Sequence, residues 1–149
     1  MIKTIALGCD HGGFDYKAAV KAHLEKNGIT VIDCGCDSSA SVDYPVYADK
    51  VCKEITSGNA DAGILICGTG IGMSIAANKH KGIRAAACEN TYSSRMTRAH
   101  NNANVLCFGA RVIGIELAFD IIDNFVNTEF MGLHHTRRVE MLNALDSEE

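Results

Sequence analysis

Apolar runs alternate with helix-patterned segments along the whole chain, and this alternation restricts the fold to a few layered α/β architectures. Short apolar runs predict five strands, at residues 2–8, 30–34, 62–67, 84–88 and 104–108. Several of them are apolar at almost every position, which is typical of parallel strands buried on both faces. Helical patterns lie between the strands, and a last helix is predicted near residues 135–145. The sequence therefore predicts a doubly wound parallel α/β sheet with right-handed crossovers.

The length, charge and cysteine content of the chain limit its class. Its 149 residues suit one domain spanning 1–149, and we expect the tail at 146–149 to fray. A net charge of -4 without a basic stripe argues against nucleic acid or a membrane surface as the main partner. No apolar run approaches the length of a membrane span. Seven cysteines without a secretory signal indicate reduced thiols and a cytoplasmic protein.

A glycine-rich loop, CGTGIG at residues 67–72, follows the third predicted strand and precedes a helical pattern. Ligands of such sheets bind beyond the carboxyl ends of the strands, and the free amides at a helix start bind anions. The loop has neither the spacing of a dinucleotide fingerprint nor a Walker lysine, and Met73 stands where a phosphatase loop has arginine. It therefore predicts an amide-lined nest for an oxyanion or phosphate, to which Thr69 adds a hydroxyl.

Cys67 stands at the mouth of this loop, near a predicted helix start. This location favours a thiolate, which can act as a nucleophile or as a general base. The alternative is a buried cysteine that only packs the strand end, as most cysteines do. From the loop and the thiol alone, both interpretations stay open.

Polar residues follow or precede the neighbouring strands. Asp10 and His11 come after the first strand, where they could orient a hydroxyl-bearing ligand or hold a metal, or where Asp10 could cap the next helix. We expect this segment to lie beside Cys67. His100 and Asn101, just before the fifth strand, lie in a polar run that predicts a cleft or an interface.

Basic residues suited to phosphate lie after the fifth strand and on the last helix. Arg111 follows the strand, and His134 and Arg138 are four residues apart on one helical face, where they could clamp a phosphate or simply be solvated. No metal-ligand spacing is evident, so we predict no metal site. A thiolate base, an anion nest and arginines together favour enolisation of a phosphorylated sugar.

Several longer motifs resemble one family over essentially the whole chain. They are GCDHGGF at 8–14, VDYP at 42–45, ILICGTGIGMSIAANK at 64–79, IRA at 83–85, HNNANVLCFGARVIG at 100–114 and RRVE at 137–140. They resemble the RpiB-type ribose-5-phosphate isomerases of the RpiB/LacA/LacB family. The resemblance implies a Rossmann-like three-layer α/β/α sandwich and an isomerase that needs neither metal nor cofactor. It also implies a homodimer or dimer of dimers with active sites at the subunit interface.

The resemblance implies roles in the interconversion of D-ribose 5-phosphate and D-ribulose 5-phosphate. Cys67 would move a proton between C1 and C2, and His100, reaching in from the partner subunit beside Asn101, would open the sugar ring. Thr69 would complete the catalytic set. The anion hole for the cis-enediolate would be formed by Gly68, Thr69, Gly70, Ile71 and Gly72.

The same resemblance implies the binding residues and shows one departure. Asp10 and His11 would bind the ring oxygen and hydroxyls, and Arg111 and Arg138 would hold the phosphate. Where the family often has GGRH, this chain has GLHH at 132–135, so His134 replaces an arginine. Phosphate affinity would then be lower and more dependent on pH, unless the neighbouring Arg137 compensates.

Two rival functions follow from the same residues. The first is an isomerase of six-carbon phosphosugars such as allose 6-phosphate or galactose 6-phosphate. Galactose 6-phosphate isomerase subunits tend to lack part of the catalytic set, whereas Cys67, His100 and the Asp–His pair are all present here, which favours ribose 5-phosphate. The second, of a different class, is a non-catalytic nucleotide-binding module of flavodoxin-like shape.

Overall fold

The computed structural model describes residues 1–146 and confirms the predicted parallel sheet. Its strands are β1 (Thr4–Cys9), β2 (Thr30–Asp33), β3 (Ala62–Cys67), β4 (Ala85–Ala87) and β5 (Val105–Gly109). Its helices are α1 (Phe14–Lys26), α2 (Tyr44–Thr56), α3 (Ile71–Ala77), α4 (Thr91–Asn101), α5 (Ile115–Asn127) and α6 (His134–Leu145). The strand order is β2-β1-β3-β5-β4, with all neighbours parallel. The predicted fraying at 146–149 falls mainly on residues 147–149, which lie outside the described part of the chain.

Two apolar cores lie on opposite faces of the sheet and define the three layers of a Rossmann-like sandwich. Successive side chains of a strand point to opposite faces. Ile64 and Ile66 of β3 accordingly pack in the core with α1 and α5, whereas Leu65 and Cys67 pack in the core with α2 and α3. The thiol of Cys67 therefore belongs to the face that carries the helix following it.

Side chains bind backbone groups at the starts of β1 and β4, where the observed ends differ slightly from the prediction. β1 starts at Thr4 because the amides of Lys3 and Thr4 donate to the carboxylate of Asp61. At the open edge of the sheet, the Asn78 side chain accepts from the Ala85 amide and donates to the Ala85 carbonyl, both at 2.8 Å. Asn78 thus occupies, on β4, the place of a further strand.

The connections between strands position the site. From β1 the chain moves outward to β2 and then returns to form β3 on the other side of β1. Such a reversal opens a crevice at the carboxyl ends of the two strands. The loops after β1, β3 and β5 therefore meet at one edge of the sheet. None of the helices within residues 1–146 combines the length and apolar character needed to cross a membrane.

Candidate active site

The glycine loop after β3 packs with its backbone directly against the backbone of its neighbours. Gly70 has φ +78°, and a Cβ built on it would lie 2.7 Å from the Cα of Phe108. A Cβ on Gly109 would lie 2.5 Å from the Cα of Thr69, and one on Gly12 would lie 2.9 Å from the Gly68 nitrogen. Only glycine fits at these positions, so the loop is held tightly between the β1 and β5 ends.

Cys67 is the last residue of β3 and its thiol faces the start of α3. Its Sγ accepts a hydrogen bond from the Gly70 amide at 3.0 Å, and the residue is only 5% exposed. Thr69 is exposed beside it, and its hydroxyl accepts from the Ile71 amide at 3.3 Å. The Gly70 amide thus fixes the direction of the Cys67 sulfur toward the start of α3.

Five of the other cysteines have thiols whose pKa is raised by burial. Burial raises the pKa of Cys9 and Cys52 to about 12, and that of Cys34 and Cys88 to about 11. Burial also raises the pKa of Cys107 well above its ordinary value. These thiols stay protonated at neutral pH, in keeping with a packing role.

The Asp10–His11 segment lies beside Cys67, as predicted. The Asp10 amide donates to the Ile66 carbonyl at 3.2 Å. Its carboxylate accepts from the amides of Gly12 and Gly13, while α1 begins after Gly13 without a side-chain cap. Asp10 therefore closes the turn before the helix and does not cap it. His11 Nδ1 accepts from the Val42 amide at 3.2 Å, which leaves Nε2 as the nitrogen that can donate to a ligand.

Arg111 and Tyr44 complete this edge of the site. The Arg111 guanidinium lies over Gly68, with Nη1 3.2 Å from the position of an added Cβ. The Tyr44 ring lies against Gly72, with its Cζ 3.0 Å from the position of a Cβ added to that glycine, and Tyr44 is 39% exposed. The predictions from sequence do not include Tyr44; its signal is an aromatic residue directly before Pro45, the second residue of α2, within the VDYP motif.

The remaining predicted residues lie at the opposite edge of the sheet. α4 starts after the carboxyl end of β4 and runs back to the amino end of β5, where it carries His100 and Asn101. α6 begins beside this end, because the Met131 amide donates to the Ala99 carbonyl at 3.0 Å. His134 and Arg138 are exposed on the first turns of α6.

The predicted site is therefore split into two groups within one chain. Five residues of β5 separate the edges, which at about 3.3 Å per residue is roughly 16 Å. One group comprises the glycine loop with Cys67, Asp10, His11 and Arg111. The other group comprises His100, Asn101, His134 and Arg138. Within residues 1–146, no three His, Cys, Asp or Glu side chains are arranged to hold a metal ion.

Comparison with known proteins agrees with this architecture. Residues 5–142 match the model of the family described as Ribose/Galactose Isomerase. The chain is 50% identical to ribose-5-phosphate isomerase B of Escherichia coli, over 97% of each chain. It is 42% identical to D-erythrulose-4-phosphate isomerase of Pectobacterium atrosepticum, over 98% of this chain and 97% of that one.

Among solved structures, the ribose-5-phosphate isomerase B of Clostridium thermocellum superimposes with a TM-score of 0.96 at 48% identity. The superposition covers 97% of this chain and 98% of that one. The chain therefore belongs to the ribose/galactose isomerase family.

Proposed function

We propose that this protein interconverts D-ribose 5-phosphate and D-ribulose 5-phosphate by proton transfer through a cis-enediolate. The observation that carries the proposal is the Cys67 thiol, which receives the Gly70 amide at 3.0 Å and stands at the mouth of a glycine-lined nest. A base beside preorganised amide donors is what removal of a proton next to a carbonyl requires. The names and high identity of the relatives support ribose 5-phosphate as the substrate.

The proposed reaction begins with ring opening, in which His100, with Asn101 beside it, gives a proton to the ring oxygen. The bond between C1 and that oxygen breaks, and the C1 hydroxyl loses its proton to water and becomes the carbonyl. The Cys67 thiolate then takes the proton from C2 of the open aldose, and the electron pair moves toward the carbonyl oxygen. Amides of residues 68–72 and the Thr69 hydroxyl stabilise the resulting enediolate. The proton of the C2 hydroxyl passes to the oxygen on C1, and the Cys67 thiol returns its proton to C1, which gives the ketose.

We also propose that each site is built from two copies of the chain. Support comes from the roughly 16 Å that separate the two groups of residues, because proton transfer needs contact at about 3 Å. A second copy that places its His100 edge against the glycine loop of the first would bring the groups together. A symmetric pair would form two such sites.

Charges on both edges suit the phosphorylated substrate in this arrangement. Asp10 and His11 Nε2 would bind the ring oxygen and hydroxyls of the sugar. Arg111 over the glycine loop and Arg138 from the second copy would bind the phosphate, with His134 beside them. Guanidinium groups bind phosphate oxygens through paired hydrogen bonds.

The test is isomerisation of D-ribose 5-phosphate in the presence of EDTA, for the native protein and for Cys67→Ala. We expect turnover by the native protein and a loss of at least about a hundredfold in the variant, as for other acid–base residues. Cys52→Ala is the matched control, because it removes another buried thiol from the same core, on α2 and outside the glycine loop. Full activity in Cys67→Ala would exclude Cys67 as the base.

The same assay decides between sugar lengths. D-Allose 6-phosphate, D-galactose 6-phosphate and D-erythrose 4-phosphate are compared with D-ribose 5-phosphate at equal concentration. The highest kcat/KM for the five-carbon sugar is the expected result. A preference for another sugar would overturn the substrate, while loss of that activity in Cys67→Ala would preserve the mechanism.

A further inference from the structure

We propose that His135 is a positioning residue for His100, holding its ring by stacking and remaining neutral so that His100 carries the proton. This inference rests on the proposed function, in which His100 is the acid that opens the sugar ring. His135 has no part in the reaction steps described above. It would act only through its neighbour.

The geometry shows a ring stack that is buried on one side. The rings of His100 and His135 lie 4.3 Å apart, with only 12° between their planes. His135 is 6% exposed, whereas His134, its neighbour along the chain, is exposed and meets it at a tilt of 41° with 4.0 Å between centroids. The buried ring of His135 thus packs flat against one face of the His100 ring.

This stacking contact limits the orientations that the His100 ring can adopt. The terminal torsion of a histidine is broad when nothing packs against the ring. Parallel stacking at 4.3 Å restricts this rotation and contacts the face of the ring rather than the edge that carries its nitrogens. A proton donor held in one orientation loses less freedom when it meets the ring oxygen of a substrate.

The charges around the stack make the two histidines unequal. His135 is faced by His100 from α4 and by His134 and Arg138 from its own helix. Burial, followed by these three groups, lowers the pKa of His135. Two stacked imidazolium rings would repel each other, whereas an imidazolium above a neutral aromatic ring is attracted. The stack is therefore most favourable while the His135 ring is neutral.

The first test is a nuclear magnetic resonance titration of ring nitrogens in the native protein, which needs no enzymatic activity. We expect the ring nitrogens of His135 to titrate at lower pH than those of His100. The reverse order would overturn the proposal, whether or not the protein proves to be an isomerase. If His135 titrates at lower pH than His100 but the native protein has no isomerase activity, only the proposed reaction is contradicted.

The second test uses variants that separate stacking from titration. His135→Phe keeps a flat ring, and we expect it to retain kcat and the His100 midpoint. We expect His135→Leu to lower kcat about tenfold with little change in KM, as a misplaced catalytic group does, and to move the His100 midpoint to lower pH. The control is Phe119→Leu, which removes a ring stacked 4.3 Å from His23 away from the site. Equal behaviour of His135→Leu and this control would refute a positioning role.

Discussion

Two inactive variants should restore activity when they share an assembly, because each site is proposed to draw Cys67 and His100 from different copies. The variants are Cys67→Ala, which keeps His100, and His100→Ala, which keeps Cys67. In one chain the two residues belong to opposite edges of the sheet, roughly 16 Å apart along β5. Neither variant alone can then form a complete site.

The size of the recovery follows from counting the sites. When equal amounts of the two variants associate at random, a site receives an intact Cys67 from one copy in half of the cases. It receives an intact His100 from the other copy in half of those cases. About one site in four is therefore complete, so a recovery of about a quarter of native activity is expected in a symmetric assembly. This fraction is the same for a dimer and for a dimer of dimers.

The assay measures D-ribulose 5-phosphate formation after the two variants are refolded together from urea. Different affinity tags on the variants allow the mixed assembly to be isolated, which shows that the copies have exchanged. Refolding Cys67→Ala with Cys67→Ser is the control and should stay inactive. An isolated mixed assembly without activity would refute the two-copy site.

Three further predictions concern the loop, a core thiol and the phosphate group. Gly70→Ala should lower the free energy of unfolding by about 3 kcal/mol or more, because the new Cβ meets the Phe108 backbone at 2.7 Å. Gly58→Ala, at φ +81° with no described atom within 4 Å, should lower it by only about 1–2 kcal/mol in the same urea denaturation. Burial raises the pKa of Cys52 from an ordinary 9.0 to about 12. The stability that this buried, protonated thiol contributes is therefore complete below pH 9 and is lost as the pH rises toward 12, because the unfolded chain loses the proton first. Between pH 9 and 11 the native protein should therefore lose about 2 kcal/mol more stability than Cys52→Ala, and equal losses would contradict this. Because histidine loses its charge between pH 6 and 8 and arginine keeps it, KM for the phosphosugar should rise over that range in the native protein but not in His134→Arg; flat profiles in both would exclude a phosphate contact by His134.

The sequence predicted the fold and one half of the candidate site because both depend on local patterns. Long apolar runs mark buried parallel strands, and β3 was predicted with its observed ends. The rule that loops meet at the carboxyl ends of strands then brought Asp10, His11 and Arg111 to the glycine loop. The other strand ends were less accurate, and at the starts of β1 and β4 the Asp61 and Asn78 side chains bind backbone groups, which apolar runs do not indicate.

Other contacts could not be read from spacing. Tyr44 of α2 contacts Gly72 of α3, and no periodicity in the sequence indicates a contact between these two helices. Helical spacing indicates His134 and Arg138, which share one face, and does not indicate His135. Adjacent residues of a helix point about 100° apart, so the buried ring of His135 faces α4 while His134 is exposed.

The tightly packed glycines in and beside the loop determine where new substrate selectivity can arise. Backbone contacts exclude any larger residue at Gly70 and Gly109, so the part of the site proposed to move the proton tolerates little change. The groups that can distinguish one sugar from another must instead come from the rim of the site, which we define as Tyr44 and Arg111. Both lie against the glycine loop but belong to other segments of the chain. Substitutions at the rim can therefore alter sugar preference while the chemistry stays intact, so selectivity and catalysis can evolve separately in this scaffold.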